Sequence, residues 1–285
     1  MRHFSSGASM CMWAFAVLQL GGCAEIPGFE GLEANASLAG APSAPAEPRP
    51  SDNILRLAAD LEARGSLATA LPLYERAAAS PDAGVPVHVK LGDVYAKLGR
   101  NGEATTAYRA ALAKDPDYGP AMLGLGGVLV RTGQVEEGMG LLAKSAPMVN
   151  SARAYDRLGV AHIMLGQPRE ALASFEQAHS LDARDPDIAT NLTLAAALSG
   201  QKEKAVALAQ TTLGIEGVQA YHRRNLILAM AISDKEEDAK RAVSSGIGAD
   251  ELDALIKQGR DIRKIASPKA RALALGTVRS AAATN

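Results

Sequence analysis

The chain has 285 residues, 47% of them hydrophobic but only 4% aromatic, so its core must be made mostly of Ala and Leu in close helix-on-helix contact. Its 30 Lys and Arg are balanced by 31 Asp and Glu, which leaves no basic footprint of the kind that displaces counterions from nucleic acid. The two cysteines are Cys11 and Cys23, so beyond residue 23 there is no disulfide, thiolate metal site or cysteine nucleophile.

The N-terminus reads as an address. Arg2 precedes an apolar run from Met10 to Leu20, which is too short for the roughly 20 residues that span a bilayer in a helix. The run stops at small residues, Leu20-Gly21-Gly22-Cys23. This stretch resembles the lipobox of bacterial lipoproteins, with an aliphatic residue at −3 and small residues before the cysteine. The resemblance implies that residues 1–22 are a lipoprotein signal peptide and that Cys23 carries the lipid. An ordinary signal peptide cut nearby, or an uncleaved anchor, are the alternatives. By the same analogy Ala24, where Asp would direct retention in the inner membrane, implies the outer membrane with the protein facing the periplasm. Residues 23–53 hold the lipidated cysteine and a tether: Pro27, Pro42, Pro45, Pro48 and Pro50 sit among Ala, Ser, Gly and Glu without apolar periodicity. As a coil it would reach roughly 30 Å.

Residues 54–245 repeat. A small residue recurs as Ala70, Ala104, Gly138, Ala171, Ala205 and Ala239, in steps of 34, 34, 33, 34 and 34. Around it the second unit has Leu91-Gly92, Tyr95, Gly99, Tyr108, Ala111 and Pro116, and the fourth has Tyr155, Leu158-Gly159, Gly166, Phe175 and Ala178. The first keeps Leu57, Gly65 and Tyr74, whereas the third, fifth and sixth keep fewer positions. Length and pattern resemble the tetratricopeptide repeat (TPR), which implies an all-α solenoid of about six helix–turn–helix units. The glycine beside leucine would let helix A and helix B approach. Alanine at position 20 would be the small contact on helix B, and the aromatic at position 24 would fill the wedge between units. A second glycine, as in Lys97-Leu98-Gly99 and Met164-Leu165-Gly166, would end helix A in a left-handed conformation. Pro116 would stop helix B.

Residues 246–278 read as C-terminal capping helices. Asp250 to Lys257 combines an acidic start with an apolar stripe at Leu252, Leu255 and Ile256, and Ser267-Pro268 opens a last helix. Residues 279–285 read as a disordered tail.

No catalytic constellation or cofactor motif stands out. His3, His88, His162, His179 and His222 are scattered, without metal-ligand spacing. Gly124-Leu-Gly-Gly127 lacks both the preceding strand and the Lys-Ser/Thr ending of a phosphate loop and falls inside a helix A. The expected chemistry is therefore recognition of protein partners, with no enzyme activity, metal, nucleic acid or small-molecule substrate. In TPR folds, helix A positions 2, 5, 6, 9 and 12 face a concave groove. On that rule Arg153, Arg157, Val160, Asn191, Leu194, Arg224, Asn225 and Leu228 are the candidate partner-binding residues. Asn191 and Asn225 would grip a peptide main chain, over an apolar floor of Val160, Leu194 and Leu228 edged by Arg157 and Arg224. The competing reading makes the asparagines local caps or pairs. Position 9 lacks the Asn of the clamp that captures C-terminal carboxylates, since Asp93 and Gly127 stand there.

The run Ala189-Thr-Asn-Leu-Thr-Leu-Ala-Ala-Ala-Leu-Ser-Gly200, with the Asn225-Leu226 pair one unit later, resembles the repeat lipoprotein of the tight-adherence (Tad, or Flp pilus) system (TadD-like). That resemblance implies an assembly factor that binds a secretin or another pilus component. The alternatives are an envelope adaptor lipoprotein that positions peptidoglycan hydrolases, and an enzyme concealed in a repeat frame.

Overall fold

The computed structural model describes residues 50–242 and 247–275. Cys23, most of the tether, residues 243–246 and the predicted tail lie outside the described residues. Fourteen helices appear among those described: α1 (Pro50–Ala63), α2 (Leu67–Ala78), α3 (Val85–Lys97), α4 (Asn101–Lys114), α5 (Gly119–Arg131), α6 (Val135–Val149), α7 (Ala152–Met164), α8 (Pro168–Leu181), α9 (Pro186–Leu198), α10 (Lys202–Thr212), α11 (Ala220–Ile232), α12 (Glu236–Ala242), α13 (Ala249–Lys264) and α14 (Pro268–Ala274). The first helix starts at Pro50, inside the predicted tether, because a proline needs no N–H partner at a helix start.

α1 to α12 form six antiparallel hairpins that stack in order, each second helix against the first helix of the next hairpin. The fold is an all-α solenoid. Its register rests on the 34-residue marker: Ala70, Ala104, Ala171, Ala205 and Ala239 are all 0% exposed, and Gly138 is buried. Tyr74, Tyr108 and Phe175 at position 24 are the largest buried side chains. The glycine of each Leu-Gly pair has two uses. A Cβ at Gly92 or Gly159 would stand 2.7 or 2.6 Å from the ring of Tyr108 or Phe175, so in these units the glycine makes room for the aromatic of its own hairpin. In the third unit Leu142 replaces the aromatic, and there the backbones themselves meet: a Cβ on Gly138 would lie 2.7 Å from the Gly126 carbonyl oxygen. Leu57 of the first unit is 52% exposed instead of packed, since no helix precedes α1 among the described residues to cover it.

Each helix A ends the same way. Gly65, Gly99, Gly133, Gly166 and Gly200 have φ between 72° and 91°, and the amide after the glycine closes the turn, as Arg100 N–H donates to the Tyr95 carbonyl at 2.9 Å. In the sixth unit Asp234 takes this role with φ 64°, and Lys235 N–H donates to Met230 O at 3.0 Å. Aspartate tolerates the left-handed region.

The C-terminal helices depart from the expected cap. α13 packs mainly on α11 rather than on α12, and α14 reaches back to α7 and α9. Gly259 lets α13 press onto Ala231, where any Cβ would collide, and Gly166 at the end of α7 meets the backbone of Lys269. Ile262 of α13 and Ala272 of α14 share one apolar cluster with Val160, Leu194 and Leu228. The two helices therefore form a strap across the first helices of units four to six. Ion pairs of Arg260 with Glu236 (2.5 Å) and Arg263 with Asp234 (2.5 Å) join its rim, and Arg224 pairs with Glu251. Such exposed pairs contribute little, so burial of Ile256 and Ile262, worth about 1.5–3 kcal/mol each, holds the strap in place.

Truncation after Gly248 is expected to lower the melting temperature by roughly 5–10 °C and to raise binding of a hydrophobic dye, because the apolar floor becomes exposed. An unchanged melt would mean that the strap contributes nothing. Gly124→Ala pushes a methyl into the Tyr108 ring and is expected to cost about 1–3 kcal/mol in thermal unfolding, whereas Gly102→Ala, with open space around it, is neutral or stabilising.

Candidate functional site

Units one to three keep their helix A surface free of the strap, and a cavity of about 150 Å³ opens there and reaches Arg153 and Arg157 on α7. Its lining comes from Glu62 on α1, Lys90, Asp93, Ala96 and Lys97 on α3, Tyr108 on α4, Arg131 on α5, and Arg153 and Arg157 on α7. The Gly124-Leu-Gly-Gly127 run shapes it. Gly124 accepts the edge of Tyr108, and Gly127 allows the Arg157 guanidinium to lie flat on α5, with Nη1 placed 3.2 Å from where a Cβ would stand. Arg157 Nη1 donates to the Leu123 carbonyl at 3.2 Å, while its Nε is buried without a partner.

The charges do not cancel. Lys97 bonds Glu62 at 2.7 Å and the Tyr74 hydroxyl donates to the same carboxylate at 2.8 Å. Burial pushes Glu62 up, but these bonds outweigh it and hold the carboxyl below its ordinary value. The Tyr108 hydroxyl donates to Asp93 Oδ1 at 2.7 Å. Both acids are thus engaged, and Arg131, Arg153, Arg157 and Lys90 make no ion pair among the described residues. Arg131 has only Asn101 Oδ1, at 3.0 Å from Nη2. Burial, then repulsion from Arg153, pushes the Arg157 guanidinium down to about 10 and lowers Arg131 too.

The predicted site residues therefore divide. Arg153 and Arg157 meet in this cavity. Val160, Leu194 and Leu228 are 9%, 3% and 4% exposed, so the floor predicted for a partner is already covered, by Ile262 and Ala272 of the chain itself. Arg224 is exposed but engaged by Glu251 of the strap, and Asn225 is half-buried on α11. Asn191 is 3% exposed and is a packing residue: its Nδ2 donates to Asp156 Oδ1 at 2.9 Å. A buried carboxylate needs that donor, and α9, packed between α7 and α11, gives its position 6 no opening to solvent. The partner of Asn191 is not a local one but lies 35 residues away on α7.

Lys90, Lys97 and Arg131 were missed. Lys97 and Arg131 occupy position 13, one residue beyond the last position credited to the groove, and their separation of 34 residues was the signal that could have found them. His222 was missed as well. It is buried, its Nδ1 accepts from Gln219 N–H at 2.9 Å, and so its Nε2 carries the proton donated to Asp187 at 3.0 Å. Tyr221 adds a second donor at 2.8 Å, and these bonds, His222 first, keep Asp187 below the usual carboxylate range.

Asp156 behaves oppositely. It is 1% exposed, its Oδ2 has no partner, and burial raises it to about 7 despite the bond from Asn191. The folded state retains a proton that the unfolded chain, with an aspartate near 3.9, releases. The favourable contribution is complete below about pH 4 and is lost as the pH rises through about 7. Asp156→Asn, which mimics the protonated acid, is expected to stabilise the chain at pH 8 relative to pH 5 by at least about 1 kcal/mol. Superimposable pH–melting curves for variant and parent would refute the assignment.

Comparison with known proteins agrees with this architecture. Residues 54–164 match the model of the cilia and flagella-associated protein 70 middle TPR-like domain, and residues 152–185 match that of the tetratricopeptide repeat. A TPR repeat-containing protein of Treponema pallidum (strain Nichols) is 30% identical over 159 residues, 55% of this chain, and the match spans about a fifth (20%) of the relative's length. Among solved structures, Pseudomonas aeruginosa pilF superposes with a TM-score of 0.57 at 19% identity, covering 67% of this chain and 88% of that one. YrrB, described as a TPR protein with an unusual peptide-binding site, gives 0.52 at 17% identity over 64% and 91% of the two chains. MamA from Desulfovibrio magneticus RS-1 gives 0.52 at 20% identity over 60% and 97%. At these identities the structures show a shared fold and nothing finer. With its 34-residue register, its hairpin stack and these matches, the chain has the fold of a tetratricopeptide-repeat solenoid.

Proposed function

We propose that this chain is a scaffold that grips protein partners on its helix A face while a lipid on Cys23 holds it at the outer membrane, facing the periplasm. It acts by binding. The observation that carries this reading is the division of the helix A face: the strap closes it over units four to six, and a polar cavity stays open over units one to three as far as Arg153 and Arg157 of α7. A solved protein of the same fold, YrrB, is described as having a peptide-binding site, which supports the use of such a surface for protein segments. The anchor rests on the Leu20-Gly-Gly-Cys23 resemblance. The partner we favour is a secretin or another component of a Tad/Flp pilus, on the strength of the Asn191-Leu192 and Asn225-Leu226 run that resembles the repeat lipoprotein of that system.

Two measurements test this. Cys23→Ala is expected to abolish incorporation of labelled palmitate and to move the protein from the membrane to the soluble fraction; label retained by the variant would refute the anchor. Deletion of the gene is expected to reduce the detergent-resistant secretin multimer of the same cells several-fold, and undiminished multimer would refute the pilus role.

A further inference from the structure

The cavity between α3, α5 and α7 holds more cations than acids, and among the described residues Lys90, Arg131, Arg153 and Arg157 make no ion pair. Its cations come from three successive units, Lys90 on α3, Arg131 on α5, and Arg153 and Arg157 on α7, so they form a row along the stack and not a point. The two acids that line it are already satisfied, Glu62 by Lys97 and Tyr74 and Asp93 by Tyr108. Holding guanidinium groups together without a counter-charge costs free energy that an incoming anion recovers, and Arg is suited to planar, bidentate capture of carboxylate. Burial and mutual repulsion already depress Arg157 and Arg131.

We propose that this row receives the carboxylates of an acidic, extended segment of a partner protein. The inference rests on the scaffold reading above and names the chemistry of the partner. Three observations favour side-chain carboxylates spaced along a peptide. The cations repeat along the solenoid axis. A cavity of about 150 Å³ admits carboxylate side chains but no folded element. Gly127 occupies position 9, so the amide that would hold a terminal carboxylate there is absent. Nucleic acid is disfavoured by the near-zero net charge of −1. The strap shuts the helix A face beyond α7, so the segment lies over units one to three as far as Arg153 and Arg157 of α7.

The test is fluorescence anisotropy with the full chain and a labelled, C-terminally amidated peptide of alternating Asp and Glu, against a counterpart of Asn and Gln. The acidic peptide is expected to bind saturably, at least about tenfold tighter than the neutral one, and to weaken several-fold as NaCl rises from about 50 to about 300 mM. Arg153→Gln with Arg157→Gln should lose about tenfold or more, whereas Arg169→Gln with Arg184→Gln, two exposed arginines outside the cavity, should not change it. Because Arg157 packs on α5, the pair Lys90→Gln with Arg153→Gln, both exposed, provides a variant that keeps the packing. The acidic peptide should also raise the melting temperature of the parent and not that of the cavity variants. Equal affinity for the neutral peptide, or equal losses in the cavity and control pairs, would overturn the proposal. Millimolar inorganic phosphate competing as strongly as the peptide would assign the row to a free anion and overturn it likewise. A cavity variant that still captures the partner of the parent chain undiminished refutes the acidic segment and leaves the scaffold reading intact, whereas failure of the parent to capture any partner refutes the scaffold reading.

Discussion

The structure depends on how closely two helices can approach at the places where they cross. Ala at position 20 of five units, and Gly138 in the remaining one, let each second helix lie against its partner with no side chain between them. The space left at the edges is filled by one ring per hairpin in the first, second and fourth units. Tyr108 shows the consequence most clearly: it is sandwiched between Gly92 of its own hairpin and Gly124 of the next, so one side chain joins two units. A hairpin cannot bury its apolar face alone, and stacking through such contacts builds a continuous core from pieces that are individually unstable. The same sandwich places the Tyr108 hydroxyl at the surface of α3, where Asp93 accepts its hydrogen bond. Core packing and cavity chemistry thus share a residue.

The helix A face that this stacking creates is used in two ways. Over units four to six it is apolar, and the chain covers it with α13 and α14. The covering is geometric as much as hydrophobic, since Gly259 against Ala231 and Gly166 against the Lys269 backbone allow contact closer than any larger residue would permit. Over units one to three, as far as Arg153 and Arg157 of α7, the face is charged, and charge resists burial by another apolar helix. The boundary lies at α7, where Arg157 faces the open cavity and the neighbouring Asp156 is sealed beneath α9 with Asn191. Two adjacent residues of one helix therefore meet opposite environments. The buried acid is pushed toward its neutral form, and the cation faces a site that holds more cations than acids.

Side chains off the repeat pattern account for the remaining polar structure. His222, Tyr221 and Gln219 tie the start of α11 to Asp187 on α9, which pins the fifth unit to the sixth where the repeat signal is weakest. Asp234 replaces the glycine that ends the other first helices and then accepts the ion pair of Arg263 from the strap. A substitution that weakens the sequence pattern thus supplies a tertiary contact.

The sequence by itself determined the repeat length, the helical hairpins, the left-handed turns at Gly99 and Gly166 and the burial of the position-20 and position-24 residues. These follow from local spacing, because each unit repeats the same short-range packing problem. It also placed Arg153 and Arg157 on the face where they are found. Only the tertiary structure decided which part of that face is open. Val160, Leu194 and Leu228 occupy groove positions by count, but whether such a position meets solvent depends on a helix that follows 30 or more residues later and folds back over it. No local pattern in α7, α9 or α11 encodes that return. The asymmetry of the cavity has the same origin: Lys90, Arg131 and Arg157 are far apart in the chain, and their unbalanced charge exists only because stacking brings three helices to one surface.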